Sequence, residues 1–250
     1  MHRWFGICGL VLLLGCSMAI RAETILVSAA ASLSNAFKNI AEDFQRDHPE
    51  HRIEFNFAGS GVLLQQLDRG APVDVFASAD QYSMDLAQDK GLLDNTSRRD
   101  FARNSLWLVS PRTSPLQLQQ LDDLLQPGLL RLAVSHPDSV PAGRYARQAL
   151  QAQGIWTRLQ ARMVFTQNVR QSLDYVARDE VDAGFVYASD AALMPERVAK
   201  RFEVQLAEPV LYPIAVTRYG QGKKAAERFI QHVLDESGQA TLLRHGFSEP

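Results

Sequence analysis

Hydroxyl and amide side chains stand at the ends of several apolar runs in this chain, where their placement suits hydrogen-bond donation better than bond-making. Ser32 follows Ala29-Ala30-Ala31, and Ser60 sits between Gly59 and Gly61. Ser135 opens a segment leading through Val140-Pro141-Ala142-Gly143, Asn168 precedes Val169, and Tyr187 closes the run Gly184-Phe185-Val186. Each marks a junction where a strand-like run passes into a helix-like one. In a parallel sheet such junctions lie together at the carboxyl ends of the strands, the edge where doubly wound folds bind ligands. Every junction would offer unpaired helix N–H groups and the positive end of a helix dipole, beside residues small enough to let a ligand reach the backbone. One serine in such a place is ordinarily an N-cap worth about 1 kcal/mol. Five of them on one edge suit a small anion.

Motifs for covalent or metal chemistry are missing. The six histidines (2, 48, 51, 136, 232 and 245) have no metal-ligand spacing, and no His-Glu-x-x-His or phosphate-binding Gly-Lys-Ser/Thr loop occurs. Ser60 has glycine as its immediate neighbours, so it is not a Gly-x-Ser-x-Gly elbow. Leu64 stands where a dinucleotide fingerprint needs its third glycine, and Ser32 is followed three residues on by Asn35 instead of Lys. A hydrolase using Ser32 or Ser60 would need a base in reach, and neither His48 nor His51 is near a predicted strand end. Asp122 and Asp123 read as a solvated face. Arg144 and Arg170 fall in first helical turns and are expected to face solvent, while Asp74 and Asp80 are expected to brace the loop around the third strand. Nothing here nominates an enzyme.

Short apolar runs alternating with amphipathic stretches supply the scaffold. Strands are predicted at 24–27, 53–57, 73–77, 106–109, 130–134, 163–165, 183–187, 202–206 and 214–217. Helices are predicted at 32–46, 62–67, 81–90, 116–125, 143–152, 169–178, 223–234 and 238–244. This alternation predicts an α/β fold of largely parallel sheets flanked by helices. The chain has 250 residues, 46% hydrophobic and 22% charged, enough for a sizeable core in one large or two small domains. With 26 basic against 28 acidic residues it has no electrostatic surplus for nucleic acid. The first 22 residues read as a secretory signal peptide: Arg3, an apolar run from Trp4 to Leu14, and a small residue at Ala22 for cleavage. Leu13-Leu14-Gly15-Cys16 offers a minority alternative, a lipid anchor at Cys16. Both cysteines, Cys8 and Cys16, lie in this stretch, so the mature chain would carry none.

Read in order, Ala29-Ala30-Ala31-Ser32-Leu33, Ala58-Gly59-Ser60-Gly61, Gly70 to Asp80, Val140-Pro141-Ala142-Gly143, Asn168-Val169-Arg170 and Gly184 to Asp190 closely resemble the bacterial periplasmic molybdate-binding proteins. The resemblance runs from about Thr24 to Phe247. It implies a two-domain, type II periplasmic-binding-protein fold with the oxyanion in the cleft between domains. The expected division is 23–104 with 213–250 as one domain and 105–212 as the other. It further implies that Ser32, Ser60 and Tyr187 donate side-chain O–H bonds and that Ala142 and Val169 donate backbone N–H groups. Gly59 and Gly61 depart from the many relatives that carry further hydroxyls there. The implied activity is molybdate (and tungstate) binding in the periplasm by a monomer that delivers the ion to an ABC transporter's membrane permease and cytoplasmic ATPase. No cofactor is expected, and metal only as molybdenum within the oxyanion. Sulfate on the same scaffold is the alternative; partly protonated phosphate would favour a carboxylate acceptor, which none of the five positions offers.

Overall fold

The computed structural model describes residues 22–250. The expected signal peptide and the Cys16 alternative concern residues outside that range. No helix among the described residues is long and apolar enough to cross a membrane.

The fold is α/β, built on two five-stranded sheets. The first sheet takes β1 (Glu23–Ala30), β2 (His51–Ala58), β3 (Val75–Ala77), β4 (Arg99–Asn104) and β10 (Val210–Val216) in the order β2-β1-β3-β10-β4. The second takes β5 (Leu106–Pro111), β6 (Leu132–Ser135), β7 (Met163–Thr166), β8 (Ala183–Tyr187) and β9 (Val198–Glu203) in the order β7-β6-β8-β5-β9. The two orders match position for position. In each, three parallel strands lie side by side, and the fourth and fifth strands add antiparallel pairings. The expected parallel character thus holds for half of the pairings. The physical reason lies in the connections. Parallel neighbours need a long crossover, whereas β5 follows β4 through Ser105 alone and β10 follows β9 through residues 204–209, each arriving from the opposite sheet.

Helix α1 (Ser34–Asp47) buries Ala36, Phe37, Ile40, Ala41 and Phe44, a stripe at helical spacing. It packs with α8 (Lys224–Leu234) and α9 (Glu236–Arg244), and the rings of Phe37, Phe44 and Phe229 meet edge-on there. Helices α2 (Ser60–Asp68) and α3 (Gln81–Asp89) form a second core, with Leu63, Leu64, Leu67 and Met84 against Phe76. On the second sheet pack α4 (Pro141–Ala152) and α6 (Val169–Ala177), while α5 (Trp156–Leu159) packs on α4, and α7 (Ala188–Ala191) follows β8 directly.

Three expectations about elements need correction. β4 is not among the expected strands, because Arg-Asp-Phe-Ala-Arg-Asn lies at a sheet edge and buries only Phe101, Ala102 and Asn104. The strand expected at 202–206 lies at Val198–Glu203, another half-exposed edge. The helix expected at 116–125 is reduced to a 3-10 turn, Leu121–Leu125, bounded by Pro115 before and Pro127-Gly128 after.

Candidate anion-binding site

The carboxyl ends of the three parallel strands of each sheet converge on one small cavity, about 200 Å³ including its mouth. From the first sheet come Ala30, Ala31 and Ser32 after β1, Ala58 to Ser60 after β2, and Ala79 after β3. From the second come Val140 to Ala142 at the start of α4, Asn168 and Val169 at the start of α6, and Tyr187 at the end of β8. Ser32, Ser60, Ala142, Val169 and Tyr187, singled out from sequence, all line it. Ala30, Ala31 and Ala79 were not foreseen as lining residues. Their side chains carry no chemical signal, and only the convergence of strand ends places them there.

The hydroxyls differ in how they are held. Ser32 lies in a 3-10 turn, Ala31–Leu33, 2% exposed, with its Oγ 3.0 Å from the Tyr212 hydroxyl. Ser60 is the first residue of α2, and its Oγ accepts the Ala79 N–H at 3.0 Å. Neither serine makes a side-chain cap to its own helix, so both are spent on contacts around the cavity. Tyr187 is 1% exposed, and its hydroxyl finds no hydrogen-bond partner among the described residues. Burial above all, with the nearby Tyr212, Tyr145, Asp80 and Asp190, raises its pKa well above the usual phenol value, so it remains an O–H donor. Leaving such a group unpaired costs about 1–3 kcal/mol, a cost that an acceptor in the cavity would remove.

Backbone N–H groups complete the donor set. Val169 opens α6 behind the Asn168 N-cap, whose side chain accepts from Gln171 N at 3.0 Å. Ala142 is the second residue of α4, after Pro141, which has no N–H to offer. First-turn amides have no acceptor within their own helix.

No charged side chain lines the cavity, yet two arginines stand close behind it, contrary to the expectation that both face solvent. Arg144, 11% exposed, pairs with Asp80, itself 3% exposed and N-cap of α3. Arg170 Nε lies 2.6 Å from Asp190 Oδ1, an ion pair out of line for a hydrogen bond. Its terminal nitrogens reach Asn35 Oδ1 at 2.7 Å and the Ser32 carbonyl at 3.0 Å. Each arginine's charge is therefore already matched. Asp74 braces its neighbourhood as expected, accepting from Leu26 N and Lys223 Nζ. No group of three or more His, Cys, Asp or Glu capable of holding a metal ion occurs among the described residues.

The backbones of the two sides meet beside Ser60. Gly61 donates its N–H to the Ser139 carbonyl at 3.0 Å. A Cβ at position 61 would come within 2.8 Å of that oxygen, and one at 59 within 2.9 Å of Val140 Cγ2. Glycine at both positions is what lets α2 dock there, which accounts for the missing hydroxyls in this loop.

A cleft between two matched α/β sheets, lined by neutral donors, defines a solute-binding protein. The model for the bacterial extracellular solute-binding protein family matches residues 25–248. The chain is 37% identical over 231 residues to the Escherichia coli molybdate-binding protein ModA, covering 90% of this chain and 88% of that one. Among solved structures, the Azotobacter vinelandii periplasmic molybdate-binding protein superposes with a TM-score of 0.77 at 24% identity, covering 90% of this chain and 99% of that one. The sulfate-binding protein SubI of Mycobacterium tuberculosis superposes with 0.78 at 15% identity, covering 91% and 87%. The chain belongs to the bacterial extracellular solute-binding protein family.

Proposed function

We propose that this protein binds molybdate, and tungstate as an ion of near-equal size and charge, and delivers it to the membrane permease and ATPase of an ABC transporter. The observation that carries the reading is the buried, partnerless hydroxyl of Tyr187 in a cavity that Ser32, Ser60 and the first turns of α4 and α6 also line. A dianion taken from water requires many hydrogen bonds at once. In this reading Ser32, Ser60 and Tyr187 donate O–H bonds, and Ala142 and Val169 donate N–H bonds. Neutral donors hold the ion without pinning it by a fixed charge, which suits a carrier that must release it. The ModA relative supports molybdate as the ligand; the likeness to the sulfate binder concerns the fold alone.

The proposal includes two lobes closing on the ion, one of 23–104 with 213–250 and one of 105–212. Sheet membership of β10 favours placing the second crossing slightly earlier, within 204–209. It includes export to the periplasm by a signal peptide cut after Ala22, with lipidation at Cys16 as the alternative, and a monomer that catalyses nothing.

Titration calorimetry with molybdate, tungstate, sulfate and phosphate tests the reading, with and without chelator. Molybdate and tungstate are expected to bind most tightly and chelator to change nothing. Tyr187→Phe keeps the ring and deletes only the hydroxyl, so affinity should fall by about 1.5–3 kcal/mol, on the order of ten- to a hundred-fold, while the ligand-free protein melts no lower than the parent. Tighter binding of sulfate, or a Tyr187→Phe protein that binds molybdate as the parent does, would overturn it.

A further inference from the structure

Behind Ser32 lies a chain of hydrogen bonds whose direction is set at its Asn104 end. Asn104 is the last residue of β4, directly before the Ser105 crossing, and Tyr212 lies in β10, just after the other crossing. Asn104 is 8% exposed and Tyr212 fully buried. The Asn104 Oδ1 accepts the Ser105 N–H at 2.9 Å, which leaves its Nδ2 on the opposite side as a pure donor. That nitrogen donates to Ser189 Oγ at 2.8 Å and to the Tyr212 hydroxyl at 3.4 Å. A phenol oxygen that receives a bond from Asn104 turns its own proton the other way, towards Ser32 Oγ at 3.0 Å. The serine oxygen then accepts, and its proton is left free for the cavity it lines. Tyr212 keeps that proton, since burial first and Asp190 next raise its pKa well above the usual phenol value.

We propose that Tyr212 and Asn104 are positioning residues for anion binding: the one-way chain from Asn104 Nδ2–H through Tyr212 O–H to Ser32 Oγ holds Ser32 as a donor to the ion. The inference rests on Ser32 being a ligand residue, as proposed above. Its consequence is that both crossings between the sheets are tied to one ligand-binding hydroxyl, from β4 through Asn104 and from β10 through Tyr212. Without the chain, Ser32 is free to spend its proton on another acceptor.

A double-mutant cycle on the full chain, with molybdate as the titrant, separates this role from packing. Tyr212→Phe retains the edge-on contacts of the ring with Phe101 and Phe247. It is expected to weaken molybdate about three- to ten-fold in the parent and to change nothing beyond about two-fold in a Ser32→Ala background. Any shift in melting temperature should be equal in the two backgrounds. Asn104→Ala, which releases the direction of the Tyr212 proton, is expected to give a smaller loss with the same dependence on Ser32. Equal losses in both backgrounds, or no loss in the parent, would overturn the chain while leaving the ligand assignment intact. A parent that binds no molybdate, or a Ser32→Ala variant that binds like the parent, would instead remove the reading on which the chain rests, and the chain with it.

Discussion

Asp80 and Asp190 are both buried, both sit at the start of a helix, and both hold an arginine beside the cavity, but the two pairs span different distances in the fold. Asp80 belongs to the first sheet's side and Arg144 to α4 on the second, so their pair crosses the cleft. Asp190 and Arg170 both belong to the second side. What crosses there is the other end of Arg170, with its bonds to Asn35 and to the Ser32 carbonyl. In the proposed closure a crossing ion pair forms only when the two sides are apposed, so it would bear on affinity. An ion pair within one side persists whatever the cleft does, and bears on folding. Both arrangements neutralise a guanidinium near the site, leaving the cavity to neutral donors.

The sharpest way to break this distinction is Arg144→Ala. It leaves Asp80 desolvated against the opposite side with no counter-charge, which costs about 3 kcal/mol in the apposed state. Molybdate affinity should fall on the order of a hundred-fold, with little change in the melting temperature of the ligand-free protein; calorimetry and thermal melts on the same sample check both. If affinity holds and stability falls instead, the crossing pair is no different from the other.

Asp190 should behave in the opposite way. Burial raises its pKa from 3.8 to about 6, only partly offset by the Arg170 charge and the Tyr187 N–H. The folded protein thus holds a proton that the unfolded chain releases at lower pH. The resulting stabilisation is fully present below about pH 3.8 and is lost as pH rises through 6. At roughly 1.4 kcal/mol per pH unit this is a few kcal/mol, on the order of 5 °C or more in melting temperature for a domain of this size. Asp190→Asn should flatten that part of the stability-against-pH curve between pH 4 and 7; an unchanged curve would show that Asp190 does not titrate there. Smallest of all should be Asn35→Ala, which removes one exposed bond that the Arg170 guanidinium donates to the Asn35 amide oxygen, weakened by solvent to about 0.5 kcal/mol. Molybdate affinity should move by less than about three-fold by calorimetry. A larger effect would mean that the Arg170 contacts govern closure as strongly as the Asp80 pair.

Where sequence reading succeeded, the signal was local. Small and hydroxyl-bearing residues between a strand and a helix mark the strand-end edge, and the family resemblance picks out Ser32, Ser60, Ala142, Val169 and Tyr187 along it; all five line one cavity, and their part in binding is the proposal made above. Where it failed, the cause was tertiary. Arg144 and Arg170 sit in first helical turns, where solvent is the ordinary neighbour; Arg144 is buried by Asp80 across the cavity, and Arg170 by Asp190 on its own side with Asn35 and the Ser32 carbonyl opposite. Tyr212, within Val-Leu-Tyr-Pro-Ile, reads as one more core aromatic; its hydroxyl matters because a serine 180 residues earlier lies against it. The edge strands β4 and β9 were missed or misplaced because charged residues interrupt the apolar pattern that marks central strands.

The contact of Gly61 with the Ser139 carbonyl also acts as an end-stop. Backbone meets backbone there, so in the proposed closure the length of the stroke would be set by a hard surface outside the proposed donors. The gap left for the ion at full stroke is then gauged like the jaws of a calliper, independently of how strongly the donors pull. A single methyl at position 61 would meet the Ser139 backbone at 2.8 Å and act as a shim, stopping the proposed closure early and penalising the smaller of two tetrahedral anions more than the larger.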